Sequence, residues 1–546
     1  MSVATTHEDK DWPPGTVRIE DLFQGDKIIQ QPRPTSDPND PLNWSRWRKY
    51  LNFGLACTYV MLVYADVNAV TPTWGPMNEY GFSYDILNDS YATGCAGLAL
   101  GGPLLIPFAL KYGRRPVYIL SLLSQFAIAI WTAKLETVGD LIAVNTLNCF
   151  LGALCEIMVQ MTIADCFFVH QRGRMNSFYV WFLFIGGSLA PLAAGYVTVD
   201  QGWRWVWWWM VILFGISIPI YIFGFEETKY VPKHDGIEPV ELQDPLALAS
   251  SAHLKALEPD SKAADGETNA FNANTVHSTD VEIDHSIPLK SYRQRLSFLQ
   301  TSPGSWSQFF RHAYQPLQIF VSIPAVFYIC LVYAIINSTM TIAITVSSEY
   351  LYDPPWNFNS ADVGLMSLPP FIGISLGLLV TGPVSDWIIL RLAKRNNGIY
   401  EPEMRLWVIA AFVPFLPAGA FMFGIGLGHE ASWGVTAVGF GMLAFGTAPA
   451  ASIALTYMTD SYQDIIADSM VALTVTRNIV ATIFVFAISP WIDGIGVQNV
   501  FIMCGVLMTV IVGSVFIFIF FGKRLRVKAA RKYRYFAERQ YATRVM

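Results

Sequence analysis

The sequence predicts an all-α membrane protein of twelve transmembrane helices in two pseudo-symmetric six-helix bundles. Three observations carry this. Twelve mostly apolar runs approach or exceed the roughly 20 residues needed to cross a bilayer. Charged residues are only 14% of the 546-residue chain, against about 25% in ordinary soluble domains. One long polar stretch, residues 226–315, divides the runs six and six.

The runs of the first half are Leu51–Thr71, Tyr91–Leu110, Val117–Ala133, Leu141–Phe168, Met175–Val197 and Trp205–Phe225. Those of the second are Leu317–Thr345, Val363–Trp387, Leu406–Gly426, Gly434–Tyr457, Met470–Pro490 and Val500–Phe521. Backbone groups in hydrocarbon must bond within the protein, which leaves helices or closed barrels. The runs are too long and too continuously apolar for barrel strands.

Five segments follow. Residues 1–48 are polar and Pro-rich and read as a disordered cytosolic tail; 49–225 form the first bundle; 226–315 a cytosolic linker; 316–521 the second bundle; and 522–546 a basic cytosolic tail. An amphipathic stretch around Ser297–Phe310 is expected along the inner leaflet. Short-loop charge sets the orientation. With the amino end inside, the inner loops hold Lys111, Arg114, Arg115, Arg172, Arg174, Arg391, Lys394, Arg395 and Arg405, and the outer loops only Lys134 and Arg204. The positive-inside rule then places both termini in the cytosol. A plasma-membrane location is expected, with the vacuolar membrane as the alternative.

The basic tail beside the last run suits anionic lipid. Nucleic acid is not expected as a partner, because no folded basic module accompanies the tail. The seven cysteines lie in or beside apolar runs and form no CxxC pair, so they read as packing residues. A functional monomer with no cofactor is expected. The sequence holds no nucleophile elbow, phosphate-binding loop or metal-ligand spacing, which argues against an enzyme.

Polar residues inside the runs mark the candidate site, because charge in hydrocarbon costs at least a few kcal/mol and persists for a reason. Asp66 lies roughly 20 Å along the first helix at about 1.5 Å per residue. Burial disfavours its ionised form, the property a proton carrier needs. Glu156 sits mid-run on a stripe with Asn145, Asn148, Gly152 and Gln160, spaced by three and four residues. It could bind a cation, carry a proton, or do both by competition. Tyr64, Asn68, Tyr333 and Asn337, with Ser338 and Thr339, form a candidate polar shelf opposite Asp66. Arg477 could pair with a cavity acid or bind an anion. Snorkelling towards the end near Asp468 is the preferred reading, and Asn478 is expected to face elsewhere. Asn88-Asp89-Ser90 is a glycosylation sequon in the first outer loop.

Motifs add a family. Gly102–Pro116 contains Gly113-Arg114-Arg115 and resembles the inner-loop signature of the major facilitator superfamily, with Leu110 at its acidic position. Gly382–Asp386, followed by Arg391, Lys394 and Arg395, resembles the second-half copy with the acid retained at Asp386. Two related loops support duplication of a six-helix unit. Gly187–Gly195, around Pro191, resembles the fifth-span signature of proton antiporters, and Asn148–Gly152 the fourth-span signature with Asn148 in place of Arg. Asn39–Trp44, Ala164-Asp165, His170–Gly173, Trp203–Trp205 and Glu226–Lys229 resemble fungal twelve-span drug:H+ antiporter-type members. Asn39–Trp44 and Tyr400–Arg405 look like the branch containing the yeast polyamine and cation transporter.

Alternating access is expected, with H+ as coupling ion and a small organic solute as cargo; two buried acids, little compensating cation and aromatic ring faces favour a cationic or protonatable one. Charges at the cytosolic helix ends, Arg114, Arg115, Asp165, Arg172 and Asp386, are expected to make gating contacts, with Asp165 and Arg172 forming one of them. Proton-coupled efflux of drugs or metabolites is the leading expectation. Proton-driven uptake of polyamine-like cations and a non-transporting nutrient sensor are the alternatives.

Overall fold

The computed structural model describes residues 14–18, 35, 37–230, 287–301, 306–396, 399–462 and 465–539. Twelve helices among them are long and apolar enough to cross a membrane. The first six spans are Arg46–Tyr80, Tyr84–Tyr112, Arg114–Ala133, Val138–Cys166, Phe178–Gln201 and Trp203–Gly224. The last six are Pro324–Tyr350, Ser360–Arg395, Glu403–Gly428, Trp433–Ser461, Ile466–Ile495 and Val497–Ala537.

Local chemistry sets the boundaries. Thr137 and Asp140 form a capping box at the start of the fourth span, and Asn359 and Asp362 repeat it at the eighth; each such box satisfies amide groups that the helix start leaves free. Gly113, at φ +111°, separates the second span from the third, in a conformation that a side chain would strain.

The seventh span does not begin at Leu317 as the apolar run suggests. Residues 306–322 form a separate helix that ends before Pro324, and Pro324 opens the span itself. Proline suits the first turn, where no amide hydrogen is needed. This helix, Trp306–Ser322, overlaps only the last residues of the expected amphipathic stretch Ser297–Phe310. Phe310, Tyr314, Leu317 and Val321 are exposed on it, while His312 Nδ1 and Gln315 Nε2 meet Asp468 at 3.2 and 2.8 Å.

The halves repeat each other in their packing. Gly97 and Gly101 of the second span approach the backbone of Thr146 and Phe150 on the fourth. Gly373 and Gly377 of the eighth approach Gly441 and Phe445 on the tenth. Without a hydrophobic drive between helices in lipid, small residues that admit close backbones supply the contact. Leu100, Leu379, Val510 and Phe520 point outward and exposed, as a lipid-facing belt requires. All seven cysteines are buried.

The ends of the two halves differ in character. One end, called the terminal face here, gathers the described parts of both tails. Residues 37–44, 226–230 and 287–301 pack together there: Tyr230 donates to Asp37 at 3.1 Å, and Lys290 N donates to Asn39 Oδ1 at 2.8 Å. Val17–Arg18 pairs antiparallel with Ile399–Tyr400. The last helix continues through the basic segment to Ala537, with Arg526 and Phe536 buried.

Candidate functional site: a central cavity bridged by an ion pair

A cavity of about 220 Å³ lies between the halves, bounded by the first, second, fourth, fifth, seventh, eighth, tenth and eleventh spans. Its wall includes Tyr64, Asn68, Tyr91, Glu156, Phe184, Tyr333, Asn337, Phe440, Arg477 and Asn478. The remaining wall is mainly aliphatic or small. Such a surface, apolar with a few convergent polar groups, is the usual character of a small-molecule site.

Glu156 and Arg477 meet across this space. Arg477 Nη1 donates to Glu156 Oε1 at 2.9 Å, so an ion pair joins the fourth span of the first half to the eleventh of the second. The Tyr64 hydroxyl donates to the same carboxylate oxygen. Arg477 Nε donates to Asn478 Oδ1 at 3.3 Å, and its guanidinium carbon lies 5.8 Å from the Tyr333 ring centroid. The snorkelling reading of Arg477 is thereby replaced. Its partner is Glu156, and Asp468 is taken up by His312 and Gln315. Asn478 also lies on the wall, contrary to expectation.

The structure divides the remaining candidates. Tyr64, Asn68, Tyr333 and Asn337 share the wall with Glu156. Asp66 does not. It is 1% exposed, and both carboxylate oxygens are buried without a hydrogen-bond partner. Val63 and Val67 on the same helix reach the cavity, so Asp66 faces the interior of the first half, where the Asn148 side chain is beside it. The fourth-span stripe splits accordingly. Asn145 bonds to Ser90, the Asn148 carbonyl accepts from Gln125 at 3.0 Å, Gln160 is off the wall, and only Gly152 and Glu156 reach it. Ser338 and Thr339 are buried off the wall.

Away from the terminal face, the halves meet above the cavity. Gly195 of the fifth span lies against the Ser360 carbonyl and Ala361 of the eighth. Gly364 packs on the Pro191 carbonyl, and the Tyr352 hydroxyl donates to the Pro72 carbonyl at 2.8 Å. Asn88 is buried here, with Nδ2 donating to Ser489 at 3.3 Å, so its sequon presents no exposed amide in this arrangement.

On the terminal face, Asp165 pairs with Arg114 at 3.0 Å and accepts from Thr228 at 3.4 Å. The Glu227 carboxylate accepts from the amides of Arg114 and Arg115 at 2.9 and 3.0 Å, filling the donors at the start of the third span. Arg115 Nε donates to the Phe225 carbonyl at 2.9 Å. The side chains of Arg172 and Asp386 lie outside the described residues, so the expected Asp165–Arg172 contact is not described. Glu227 and Lys229 belong to this cluster, and sequence reasoning did not assign them roles.

A family model described as Major Facilitator Superfamily matches residues 56–464. The chain belongs to that superfamily. An uncharacterized MFS-type transporter of Schizosaccharomyces pombe is 33% identical, covering 93% of this chain and 89% of that protein. Protein HOL1 of Saccharomyces cerevisiae is 31% identical, covering 98% of each. Among solved structures, the proton:xylose symporter XylE bound to 6-bromo-6-deoxy-D-glucose superimposes with a TM-score of 0.54 at 12% identity, covering 87% of this chain and 97% of that one; this likeness concerns fold. As a major facilitator, the chain is a multi-pass membrane protein that carries small organic solutes by secondary transport, and its family is not an enzyme family.

Proposed function

We propose that this major facilitator drives uptake of polyamine-like organic cations with the proton gradient. The single observation that carries the reading is Glu156, the one carboxylate on the cavity wall among the described residues. A protonated amine entering the cavity finds one anion there. Around it, Tyr64, Tyr91, Tyr333 and Phe440 offer ring faces that attract cations. Asn68 and Asn337 offer amide oxygens for further N–H groups. The branch resemblance of Asn39–Trp44 and Tyr400–Arg405 supports the same reading.

Asp66 supplies the coupling proton in this scheme. An ionised carboxylate buried at 1% exposure, with the Asn148 side chain beside it and no counter-charge, would cost several kcal/mol, and the neutral acid removes most of that cost. Asp66 is set behind the wall, so proton and solute occupy different places and interact through the first span. Both termini then lie in the cytosol, with the terminal face inward, and the plasma membrane is the expected location. Efflux is the second reading, favoured by the Gly187–Gly195 run, although Gly195 also serves the contact with Ser360.

Reconstituted vesicles with an imposed pH gradient test this, using radiolabelled spermidine, a cationic drug and an uncharged metabolite. Gradient-dependent accumulation of spermidine is expected. Glu156→Gln should raise the KM for spermidine strongly, while Asp66→Asn should retain spermidine binding and lose the dependence on the gradient. Transport of the uncharged metabolite alone would refute the cation assignment.

A further inference from the structure

The charge count of the cavity has a consequence for how a cation is held. Glu156 is the sole acid on the described wall and Arg477 the sole base. They already neutralise each other at 2.9 Å. An incoming ammonium group therefore meets an anion that is occupied. It must either bind beside a neutral pair, which attracts it weakly, or take the place of Arg477. The pair joins opposite halves, so the second route also breaks a bridge across the cavity.

The surroundings of Arg477 fit a side chain that moves between two partners. Asn478 Oδ1 already accepts from Nε at 3.3 Å, and the Tyr333 ring already lies 5.8 Å from the guanidinium carbon. Both belong to the second half and would stay with Arg477 once Glu156 is released. On the first half, the Tyr64 hydroxyl, from the same bundle as Glu156, donates to its carboxylate. Each charged group thus has at least one neutral companion from its own half to keep after separation. That lowers the cost of leaving a buried ion unpaired, which is otherwise several kcal/mol.

We propose that Arg477 is a tethered competitor for the substrate site: in the empty carrier its guanidinium fills the place on Glu156 that the solute's protonated amine takes on binding. The proposal rests on the cation reading above and adds to it. Loading becomes an exchange of one cation for another on Glu156. Unloading lets Arg477 return and re-form the bridge between the halves. The affinity of the wild-type protein for its solute is then reduced by the fraction of time Arg477 leaves Glu156 free.

Calorimetric binding of spermidine to the purified full-length protein in detergent tests this, comparing wild type, Arg477→Ala, Arg477→Lys and Glu156→Gln. If Arg477 vacates Glu156 about a tenth of the time, its removal tightens spermidine binding about tenfold. Arg477→Lys, with a shorter reach and a single point of charge, should fall between Arg477→Ala and wild type. It serves as the deciding variant if Arg477→Ala does not purify as a monodisperse protein. Free guanidinium at millimolar concentration should weaken spermidine binding to Arg477→Ala several-fold and leave wild type unchanged, because only the variant has a vacant place for it. A lost structural contact would produce neither the gain in affinity nor the guanidinium competition. Spermidine binding that is equal or weaker in the arginine variants overturns the competitor role while leaving the cation assignment standing. Failure of spermidine to bind to wild type and arginine variants alike overturns both. Undiminished binding by Glu156→Gln removes Glu156 as the contested anion.

Discussion

Arg405 Nε lies 2.7 Å from Asp460 Oδ2, at the terminal ends of the ninth and tenth spans. The same relation links Arg114 to Asp165 at the ends of the third and fourth. The two pairs correspond under a six-helix duplication. Tyr400 reinforces the second: its hydroxyl accepts from Arg405 Nε at 2.8 Å and donates to Asp460 at 2.6 Å. Neither pair touches the cavity wall. Their proposed role is in switching, where each pair ties together two helix ends of its own half on the terminal face.

Asp165→Asn and Asp460→Asn should each lower the maximal transport rate with little change in KM. A loss of about 1.4 kcal/mol from the switching barrier's stabilisation corresponds to a tenfold slower rate. Initial-rate measurements in vesicles at several solute concentrations decide this. A raised KM at unchanged maximal rate would place these acids in solute binding instead.

The buried pair Arg526–Glu403 should matter for stability. Arg526 is wholly buried, and its Nε and Nη2 donate to the two carboxylate oxygens of Glu403 at 2.7 and 2.6 Å. Arg526 Nη1 also donates to Pro14 O and, at 3.2 Å, to Thr16 Oγ1. Glu403→Gln leaves the guanidinium buried without its counter-charge, a loss of about 3–5 kcal/mol for such pairs. Thermal unfolding of the purified variant should show a clearly lower midpoint. Replacing both residues, as in Glu403→Leu with Arg526→Met, should recover part of it, because no buried charge remains. A single variant as stable as wild type would show that water replaces Glu403.

Hydropathy made the twelve spans legible, because crossing a bilayer demands length and apolarity that few other structures need. It also showed where charge sits at depth, hence Asp66, Glu156 and Arg477. It did not show which way they face. The first span is apolar almost all round, and a helix without a polar stripe carries little information about its rotation. Asp66 therefore looked like a cavity residue and is turned into the first half. The Glu156–Arg477 pair joins residues in different halves, a relation set by how the halves dock. Asn478 was missed for a local reason. Adjacent helical positions diverge by about 100°, but both side chains border a cavity wide enough to include them. The last turns of the twelfth helix looked like a free basic tail because charge outweighs its apolar residues, whereas Arg526 is buried by pairing with Glu403.

Gly195 and Gly364 offer a test of the closed end. The first leaves no space for a Cβ beside the Ser360 carbonyl, and the second packs on the Pro191 carbonyl and Gly195. Gly195→Val should hold the fifth and eighth spans apart and disfavour closure at the end remote from the termini. In a cysteine-free background with a single cysteine at position 68, a membrane-impermeant thiol reagent applied from the remote side should react at least several-fold faster in the Gly195→Val protein. Unchanged labelling would mean that the halves close there without Gly195.

Lys229 supplies a pH dependence with a definite sign. Its Nζ donates to the carbonyls of Leu110, Lys111 and Gln300 at 2.8, 2.9 and 3.0 Å, capping the end of the second span, where a cation is favoured by the helix dipole. Burial, and then the nearby Arg114 charge, push the ammonium down to about 8 against upward pulls from Glu227 and Asp165. The folded value lies below the 10.5 of a free lysine, so between these limits the unfolded chain binds more protons. Stability then rises with pH across that window, and below about pH 8 the burial penalty is borne in full. Lys229→Met removes the titration. The unfolding midpoint of wild type should therefore gain on that of Lys229→Met between pH 7 and pH 9, in scans of the purified proteins. Parallel behaviour of the two would show that the three carbonyls stabilise the charged form enough to cancel the cost of burial.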